Sequence, residues 1–326
     1  MSFTIGTDIE VFAKTKKGEA KSLCGLIGGT KDEPKQLEHL PPGFMVQEDN
    51  VSLEFNIPPA HSKTEFIRSI RIMRKEVANI LATMDLKPST KSSIIFSKEE
   101  LKHPNALVFG CEPDFNAWKK IENKKPYAKE PNLRTAGGHV HVGINGVDML
   151  AGIRAMDLFL GIPSLLLDNS PEAQQRRELY GKAGAMRPKP YGFEYRVLSN
   201  FWLFKDTLVD WVYNNTRTAM TFCEMGNGIS KTMGKIIQEA INTGDQKTAQ
   251  DIVNHYKISL PRKKLSTVPE PKPKGPSFTE ETLEQLIHEW NPQPAHLTTN
   301  TGIPQHFTPA TLGTAAPGLF IWQDHL

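Results

Sequence analysis

The chain has 326 residues and 38% hydrophobic content, enough for one large domain or for a domain with appendages. Positive and negative side chains nearly cancel, which leaves a net charge of +3, and no dense basic block with interleaved aromatic residues is present. Both features disfavour nucleic acid as a partner. Cys24, Cys111 and Cys223 are far apart and form no C-x-x-C pair, a pattern that fits a reducing cytoplasm. No signal-peptide pattern is visible, and no apolar run approaches the roughly 18 residues of a membrane span. We therefore expect a cytoplasmic protein without a membrane partner.

The first part of the chain is predicted to contain mainly strands. Residues 3–12 and 51–57 alternate apolar and polar side chains, and the pair Gly28-Gly29 between them is typical of a tight turn. Apolar residues at helical spacing predict a long helix over 62–84, and Ser62 with Glu65 forms a plausible capping box. The remaining predictions are strands at 92–96, 108–115, 139–144 and 193–199, and helices at 147–161, 171–180 and 203–224.

The composition changes in the last third of the chain. A short helical pair is predicted at 231–240 and 247–255, and the stretch 261–276 has the proline and lysine content of an extended linker. A helical pattern returns at 279–290. We therefore predict a catalytic domain over 1–258 and a linker, helix and tail over 259–326. Strands in runs without strict βαβ alternation favour an α+β fold, with helices on one face of a mainly antiparallel sheet and a site on the other.

Charged residues recur inside these predicted strands at one spacing. Each pair is separated by two positions, so both members project from the same face: Asp8 and Glu10, Glu112 and Asp114, His139 and His141, Glu194 and Arg196. Glu54 lies in a further strand. A single such pair is ordinarily the solvated side of an antiparallel sheet. Four strands with this pattern, and few lysines, serines or threonines at these positions, favour a functional face instead.

So many acids on one surface require a counter-ion. Magnesium or manganese is favoured because hard divalent ions prefer oxygen ligands and bind phosphate oxygens as well. Zinc is the competing interpretation, because His139 and His141 supply two imidazoles, but a catalytic zinc site needs only one carboxylate beside them. The surplus of aspartate and glutamate favours a phosphate site with several metal ions.

A basic cluster occupies residues 181–200. Lys182, Arg187, Lys189 and Arg196 lie there among glycines and prolines, and guanidinium groups beside acids suit a phosphoryl group that bridges to metal ions. The alternative is a basic surface loop. The stretch that ends in Lys31, GGTK, could hold an anion with backbone N–H groups, although it lacks the spacing of a P-loop.

Several motifs in order resemble a known family. They are GTDIEVF, IGGTK, QEDNVSLEFNIPP, GCEPDFNAW, RTAGGHVHVG and RPKPYGFEYRVLSNFW, which together extend from about residue 3 to about residue 215. They resemble the phage carboxylate–amine ligase type 2 family, an amidoligase family of the glutamine-synthetase-like superfold. The resemblance implies a curved, mainly antiparallel sheet like that of the glutamine synthetase and guanidino kinase catalytic domains. It also implies ATP and Mg²⁺ (or Mn²⁺) as cofactors.

The resemblance also implies roles for individual residues. It implies metal ligation by one set of side chains: Asp8, Glu10, Glu54, His139, His141 and Glu194. It places Arg196 on the γ-phosphate, and it assigns Arg134, Arg187 and Lys189 to the phosphates or to a substrate carboxylate. Glu112 or Asp114 is a candidate acceptor for the proton of the amine.

The implied reaction forms an amide or isopeptide bond through an acyl phosphate. The implied substrates are a carboxylate and an amine carried by an amino acid, peptide, protein or cell-wall component. For a phage-encoded protein, the implied location is the host cytoplasm. Alternatives that stay open are a guanidino-type phosphotransferase, a non-catalytic virion or partner-binding protein, and a zinc hydrolase. A homo-oligomer is possible, because rings with shared active sites occur in the superfold.

Overall fold

The computed structural model describes residues 3–107, 114–124 and 128–261. Within these ranges helices combine with a large antiparallel sheet, which confirms the predicted α+β class. The predicted strand at 108–115 lies mostly outside the described residues. The predicted linker beyond residue 261 and the predicted helix at 279–290 lie wholly outside them.

The strands are numbered in chain order. They are β1 (Thr4–Val11), β2 (Ala13–Lys14), β3 (Ala20–Lys21), β4 (Lys35–Gln36), β5 (Met45–Asp49), β6 (Ser52–Asn56), β7 (Lys87–Pro88), β8 (Ser93–Ile95), β9 (Phe115–Asn116), β10 (Ile121–Glu122), β11 (Leu133–Thr135), β12 (Gly138–Gly143), β13 (Ala185–Lys189) and β14 (Gly192–Tyr195). Nine of them form one sheet in the order β10-β9-β13-β14-β12-β1-β6-β5-β4, with every neighbouring pair antiparallel. Smaller sheets join β11 to β8 and β3-β2-β7.

The central strand β1 has two different faces. Ile5 and Ile9 are fully buried on one side, and Leu53, Phe55, Val140 and Val142 of the neighbouring strands join them in the main core. Alternate residues point to the other side, because side chains alternate along a strand. Burial of the apolar side chains fixes the register, since a shift by one residue would expose them all.

The helices predicted within the described residues are present, and further short helices that were not predicted add to them. They are α1 (Lys63–Thr83), α2 (Pro104–Leu107), α3 (Met149–Met156), α4 (Ile162–Leu167), α5 (Pro171–Leu179), α6 (Asp206–Glu224), α7 (Lys231–Thr243) and α8 (Gln246–Tyr256), with a π-helical segment at Asp157–Gly161 and a 3₁₀ helix at Asn200–Phe204. The Ser62 side chain accepts a hydrogen bond from the Glu65 N–H, which confirms the predicted N-cap of α1. Phe66 of α1 contacts Trp202 and Tyr213, so α1, the 3₁₀ helix and α6 pack together over the apolar face.

One apolar helical stretch runs through α3, the π-helical segment and α4. By length and composition this stretch, Met149–Leu167, would suffice to cross a membrane, which corrects the expectation that no apolar run approaches that length. However, 72% of it is buried inside the protein. Gly152 lies directly against the Phe193 ring, where a Cβ atom would be only 2.9 Å from the ring edge. The stretch therefore packs as a core helix on the sheet.

Two strands that pair with predicted strands were not themselves predicted from the sequence. Strand β5 pairs with β6, and β13 pairs with β14. Arginine, proline and lysine in β13 and two acids in β5 are poor strand formers, so local propensity gave no strand signal. Pairing with a stable neighbour supplies the backbone hydrogen bonds that these segments need. Both strands carry residues to the site.

Candidate active site

The predicted acidic and imidazole side chains lie on one face of the large sheet. In the register of the strands, Asp8 is opposite His139, Glu10 is opposite Glu54, and His141 is opposite Glu194. Directly paired residues in an antiparallel sheet project to the same side. These side chains therefore share the face opposite the apolar core, and they come from four strands far apart in sequence.

The first group of ligand atoms consists of Asp8, His141 and Glu194. One ligand atom of each residue lies within 4.8 Å of the others, an arrangement that could hold a metal ion. His141 Nε2 is 3.2 Å from Asp8 Oδ2, and the Tyr191 hydroxyl lies 2.8 Å from His141 Nδ1. The group is almost closed to solvent, since Asp8 is 8% exposed and Glu194 is fully buried.

Basic groups keep these two carboxylates ionised. Burial alone would raise the pKa of Asp8, but the imidazoles of His141 and His139 outweigh burial and hold it well below its usual range. Burial and Asp8 would likewise raise the pKa of Glu194, and Arg196 and the two imidazoles lower it instead. Glu194 contacts Arg196, and it lies 3.3 Å from Arg187 and 3.2 Å from Lys189. Acidic and basic side chains therefore lie next to each other at one end of this sheet face.

The second group of ligand atoms consists of Glu10, Asp49 and Glu54, again within 4.8 Å of one another. Burial raises the pKa of Glu10 to about 8, and Asp49 adds to this effect. Burial also raises the pKa of Glu54 well above its usual range, together with the charges of Asp8, Asp49 and Glu10. Without a cation, this group holds protons at neutral pH, because adjacent buried carboxylates cannot all ionise. A divalent ion would replace those protons.

His139 lies between the two groups. Its Nδ1 atom is 2.9 Å from Asp8 Oδ1 and 3.4 Å from Glu194 Oε1. Burial and the charge of Arg196 lower the pKa of His139, which favours the neutral ring that ligates metals. Gly137 leaves room for this ring, since a Cβ atom there would lie 2.4 Å from His139 Nε2. The Gly137 N–H also donates to Glu10 at 2.9 Å.

A cavity of about 320 Å³ opens over the second group. Its polar lining includes Glu10, Asp49, Asp114, His139, Arg176 and Arg196. Apolar side chains complete the wall, among them Phe12, Leu133 and Leu179. A concave pocket with a few convergent polar groups is the usual form of a small-molecule site.

The loop before β4 borders this cavity through Gly29 and Thr30. The Glu48 carboxylate holds the loop by accepting backbone N–H bonds of 2.7 to 2.9 Å from Gly25, Ile27 and Gly28. Lys31, a predicted anion contact, follows Thr30 and is exposed. The Glu48 carboxylate therefore holds the loop in place, in addition to the turn that the loop itself forms.

The remaining predicted residues fall into three cases. Asp114 lies 3.6 Å from Arg196 Nε and so reaches the site. Glu112, the other candidate proton acceptor, lies outside the described residues. The Arg134 guanidinium donates to the carbonyl oxygens of Ala106, Pro131 and Leu133 and to the Asn50 side chain. Arg134 also lines the cavity, so its contact with phosphate or a carboxylate stays a prediction.

Several residues of the site were not predicted from the sequence. Asp49 belongs to the unpredicted strand β5, although the alternation in the segment FMVQED could have indicated it. Tyr191 follows β13 and stacks on His141, with ring centroids 6.1 Å apart. Arg176 lies on α5, in a polar helix whose sequence gives no sign that this side chain is buried. Only the packing of α5 against β8 and α7 brings it to the cavity.

The fold and the site define an α+β protein whose antiparallel sheet carries acids, imidazoles and guanidinium groups on one face. Residues 129–267, a little under half of the chain, match the family described as phage phiEco32-like COOH·NH2 ligase type 2. The match confirms the resemblance over that segment and supports a carboxylate–amine ligase, and hence an enzyme with carboxylate and amine substrates. No curated protein matches the chain. The matched segment carries His139, His141, Arg187, Glu194 and Arg196, whereas the acids of β1, β5 and β6 lie before it.

Proposed function

We propose that the protein is an ATP- and Mg²⁺-dependent carboxylate–amine ligase that forms an amide or isopeptide bond through an acyl phosphate. The observation that carries this proposal is the convergence of two groups of ligand atoms, Asp8–His141–Glu194 and Glu10–Asp49–Glu54, on one sheet face beside basic side chains. The match to a carboxylate–amine ligase family supports it.

The chain fits divalent cations at this face. Carboxylate oxygens predominate in both groups, as hard cations prefer, and burial together with the charges of Asp8, Asp49 and Glu10 raises the pKa of Glu54. Both groups would hold Mg²⁺ or Mn²⁺, and His139 lies between them. When bound, such ions neutralise charge on the phosphate oxygens of ATP. The zinc alternative needs a single carboxylate, whereas each group here has two or three.

The basic residues would orient the phosphates. Glu194, a buried acid of the first group, is surrounded by Arg187, Lys189 and Arg196 and holds them in place. Guanidinium groups bind phosphoryl oxygens with two parallel bonds and stabilise the charge on a phosphoryl group in transfer. The substrate carboxylate would attack the γ-phosphorus and release ADP. The amine would then displace phosphate and lose a proton to Asp114, the described candidate acceptor.

Phosphate release from ATP tests the proposal. We expect release with Mg²⁺ only when a suitable carboxylate and a suitable amine are both present, across a panel of amino acids, peptides and cell-wall fragments. Glu10→Ala and Glu194→Ala should each reduce release at least 100-fold, since each removes a ligand from one group. The control is Glu224→Ala, an exposed acid at the end of α6. Background release with every pair would contradict the ligase and favour a non-catalytic binding protein.

Analysis of the products distinguishes the ligase from the second candidate function, a guanidino-type phosphotransferase. A guanidino-type phosphotransferase would transfer phosphate to a guanidine and release no free phosphate. Mass spectrometry of the products decides between a new amide and a phosphorylated guanidine. We further propose a cytoplasmic location, in the host cell if the protein is phage-encoded, because ATP and magnesium are both abundant there.

A further inference from the structure

Arg176 is a buried arginine that forms no ion pair with a carboxylate among the described residues. It projects from α5, is 3% exposed and lines the cavity over Glu10. Within the described part of the chain its charge is opposed by Glu10 and Asp168 at longer range rather than by a paired carboxylate. Burial lowers its pKa to about 10, so it stays protonated at neutral pH. A buried charge without a partner is costly, and such groups concentrate at functional sites.

The hydrogen bonds of Arg176 leave one edge of the guanidinium open. Nη1 donates to the Val197 carbonyl at 2.9 Å, and Nη2 makes only a long contact of 3.5 Å with the Arg196 carbonyl. Nε has no hydrogen-bond partner among the described residues, although it is buried. Nε and Nη2 together form the side edge through which arginine binds a carboxylate or a phosphoryl group with two parallel bonds.

The neighbouring backbone preserves this arrangement. Gly181 has a φ of +70, a backbone conformation that residues with side chains rarely adopt, and a Cβ atom there would lie 2.3 Å from Arg176 Nη1. The glycine thus gives the guanidinium its space, and the Val197 carbonyl fixes its orientation. Arg196 also lines the same cavity.

We propose that Arg176 forms an oxyanion subsite at the cavity, which binds a carboxylate or phosphoryl group of a substrate through Nε and Nη2. This inference rests on the proposed function for the identity of the substrates, but the binding itself does not depend on turnover. An oxyanion there would satisfy the open donor edge and place a negative charge between Arg176 and a cation at the Glu10–Asp49–Glu54 group. Arg176 would then select substrates that carry this anionic group.

Calorimetric titration of the full chain with two probes, inorganic phosphate and glutarate, tests the subsite in the presence of Mg²⁺. We expect Arg176→Gln to weaken binding of at least one probe tenfold or more, and Arg176→Lys to weaken it less. Loss for phosphate alone assigns the subsite to a phosphoryl group, and loss for glutarate alone assigns it to a carboxylate. Arg177→Gln is the matched control, because Arg177 is also buried on α5 but donates to the Asp168 carbonyl and does not line the cavity.

Three results would overturn the inference. They are a wild-type protein that binds neither probe, a folded Arg176→Gln variant with unchanged affinities, and an equal loss in Arg177→Gln. If Arg176→Gln does not fold, Arg176→Lys decides, since it keeps the charge but loses the two-bond edge. If the protein binds a probe but ligates no pair of substrates, the proposed function is contradicted and the subsite stands. If it ligates substrates but Arg176→Gln binds both probes as tightly as the wild type, the subsite is contradicted and the proposed function stands.

Discussion

Protons shared among buried carboxylates determine the charge of the site before a cation binds. Asp8 and Glu194 are surrounded by imidazole and guanidinium groups, and their pKa values are lowered. Glu10 and Glu54 face other acids, and their pKa values are raised. Residues of the same chemical type therefore take different charge states on one sheet face, according to which neighbours the strand register supplies.

Glu54→Gln tests this charge state. Because burial and the neighbouring acids raise the pKa of Glu54 and so favour its neutral form, a neutral amide of the same shape should change the metal-free Tm by less than about 3 °C. Saturating Mg²⁺ should stabilise the wild type by about 3 kcal/mol at a concentration of 100 times Kd, and the variant should lose most of this gain. Thermal unfolding with and without Mg²⁺ measures both effects. Glu76→Gln, at a partly buried acid of α1 that pairs with His39 and does not line the site, is the control. A variant that keeps the full Mg²⁺ effect would exclude Glu54 as a ligand.

At the scale of elements, the π-helical segment at Asp157–Gly161 connects the helices to the sheet. It carries Asp157, which is fully buried and accepts hydrogen bonds from Trp118 Nε1 at 2.6 Å and from the Tyr195 hydroxyl at 2.9 Å. Tyr195 belongs to β14, directly after Glu194. The segment therefore anchors, from the apolar side, a strand that carries site residues on its other side.

Asp157 should make the stability of the protein depend on pH. Burial raises its pKa from an ordinary 3.8 to about 7, so between these values the folded protein binds a proton that the unfolded chain releases. Stability should fall as pH rises through this window, by on the order of 2–4 kcal/mol. Asp157→Asn should remove this component, and urea unfolding of both proteins from pH 4 to 8 measures the difference. A stability difference between the two proteins that stays constant with pH would contradict the assignment.

The loop at residues 24–30 depends on a single side chain of β5. Glu48→Ala removes the acceptor for three backbone N–H groups, so the loop should open more often. We expect faster amide hydrogen exchange at Gly25, Ile27 and Gly28, by tenfold or more, and faster proteolysis within the loop. Exchange in α6, far from the loop in sequence, should not change and serves as the internal reference. Unchanged exchange at the three amides would show that other contacts hold the loop.

At the scale of the whole molecule, the described chain stays packed beyond the predicted domain end at residue 258. Ile258 is buried, and the Ser259 carbonyl accepts hydrogen bonds from Trp211 and Asn215 of α6. These contacts tie the segment after α8 to the helical layer. The division of the chain into 1–258 and 259–326 stays a prediction.

Truncation tests how far the folded unit extends. A chain that ends after Pro261 should keep the stabilisation by Mg²⁺, because every described site residue precedes it. A chain that ends after Ile258 should be less stable by about 1–3 kcal/mol, since Trp211 loses its acceptor and Asn215 loses one of two, keeping the Phe159 carbonyl. Urea unfolding compares the two. Equal stability would mean that water replaces the lost bonds without cost.

The sequence by itself determined the α+β class, most of the longer helices, the strands β1, β6, β8, β12 and β14, and the acids and histidines on the site face apart from Asp49. It could do so because alternation along β1, β6, β12 and β14 specifies which side chains share a face, a local property of extended backbone. The long helix α1 followed in the same way from apolar spacing and its N-cap.

Only the tertiary structure decided which strands are neighbours and which residues from weak segments join them. Strands β5 and β13 form because a stable neighbour supplies their hydrogen bonds, and β5 then brings Asp49 to Glu10 and Glu54. Arg176 reaches the cavity because α5 packs against β8 and α7, and Arg134 lines the same cavity while it donates to backbone carbonyls. Such contacts join residues distant in the chain, and their energies depend on burial and register, which a local pattern does not contain.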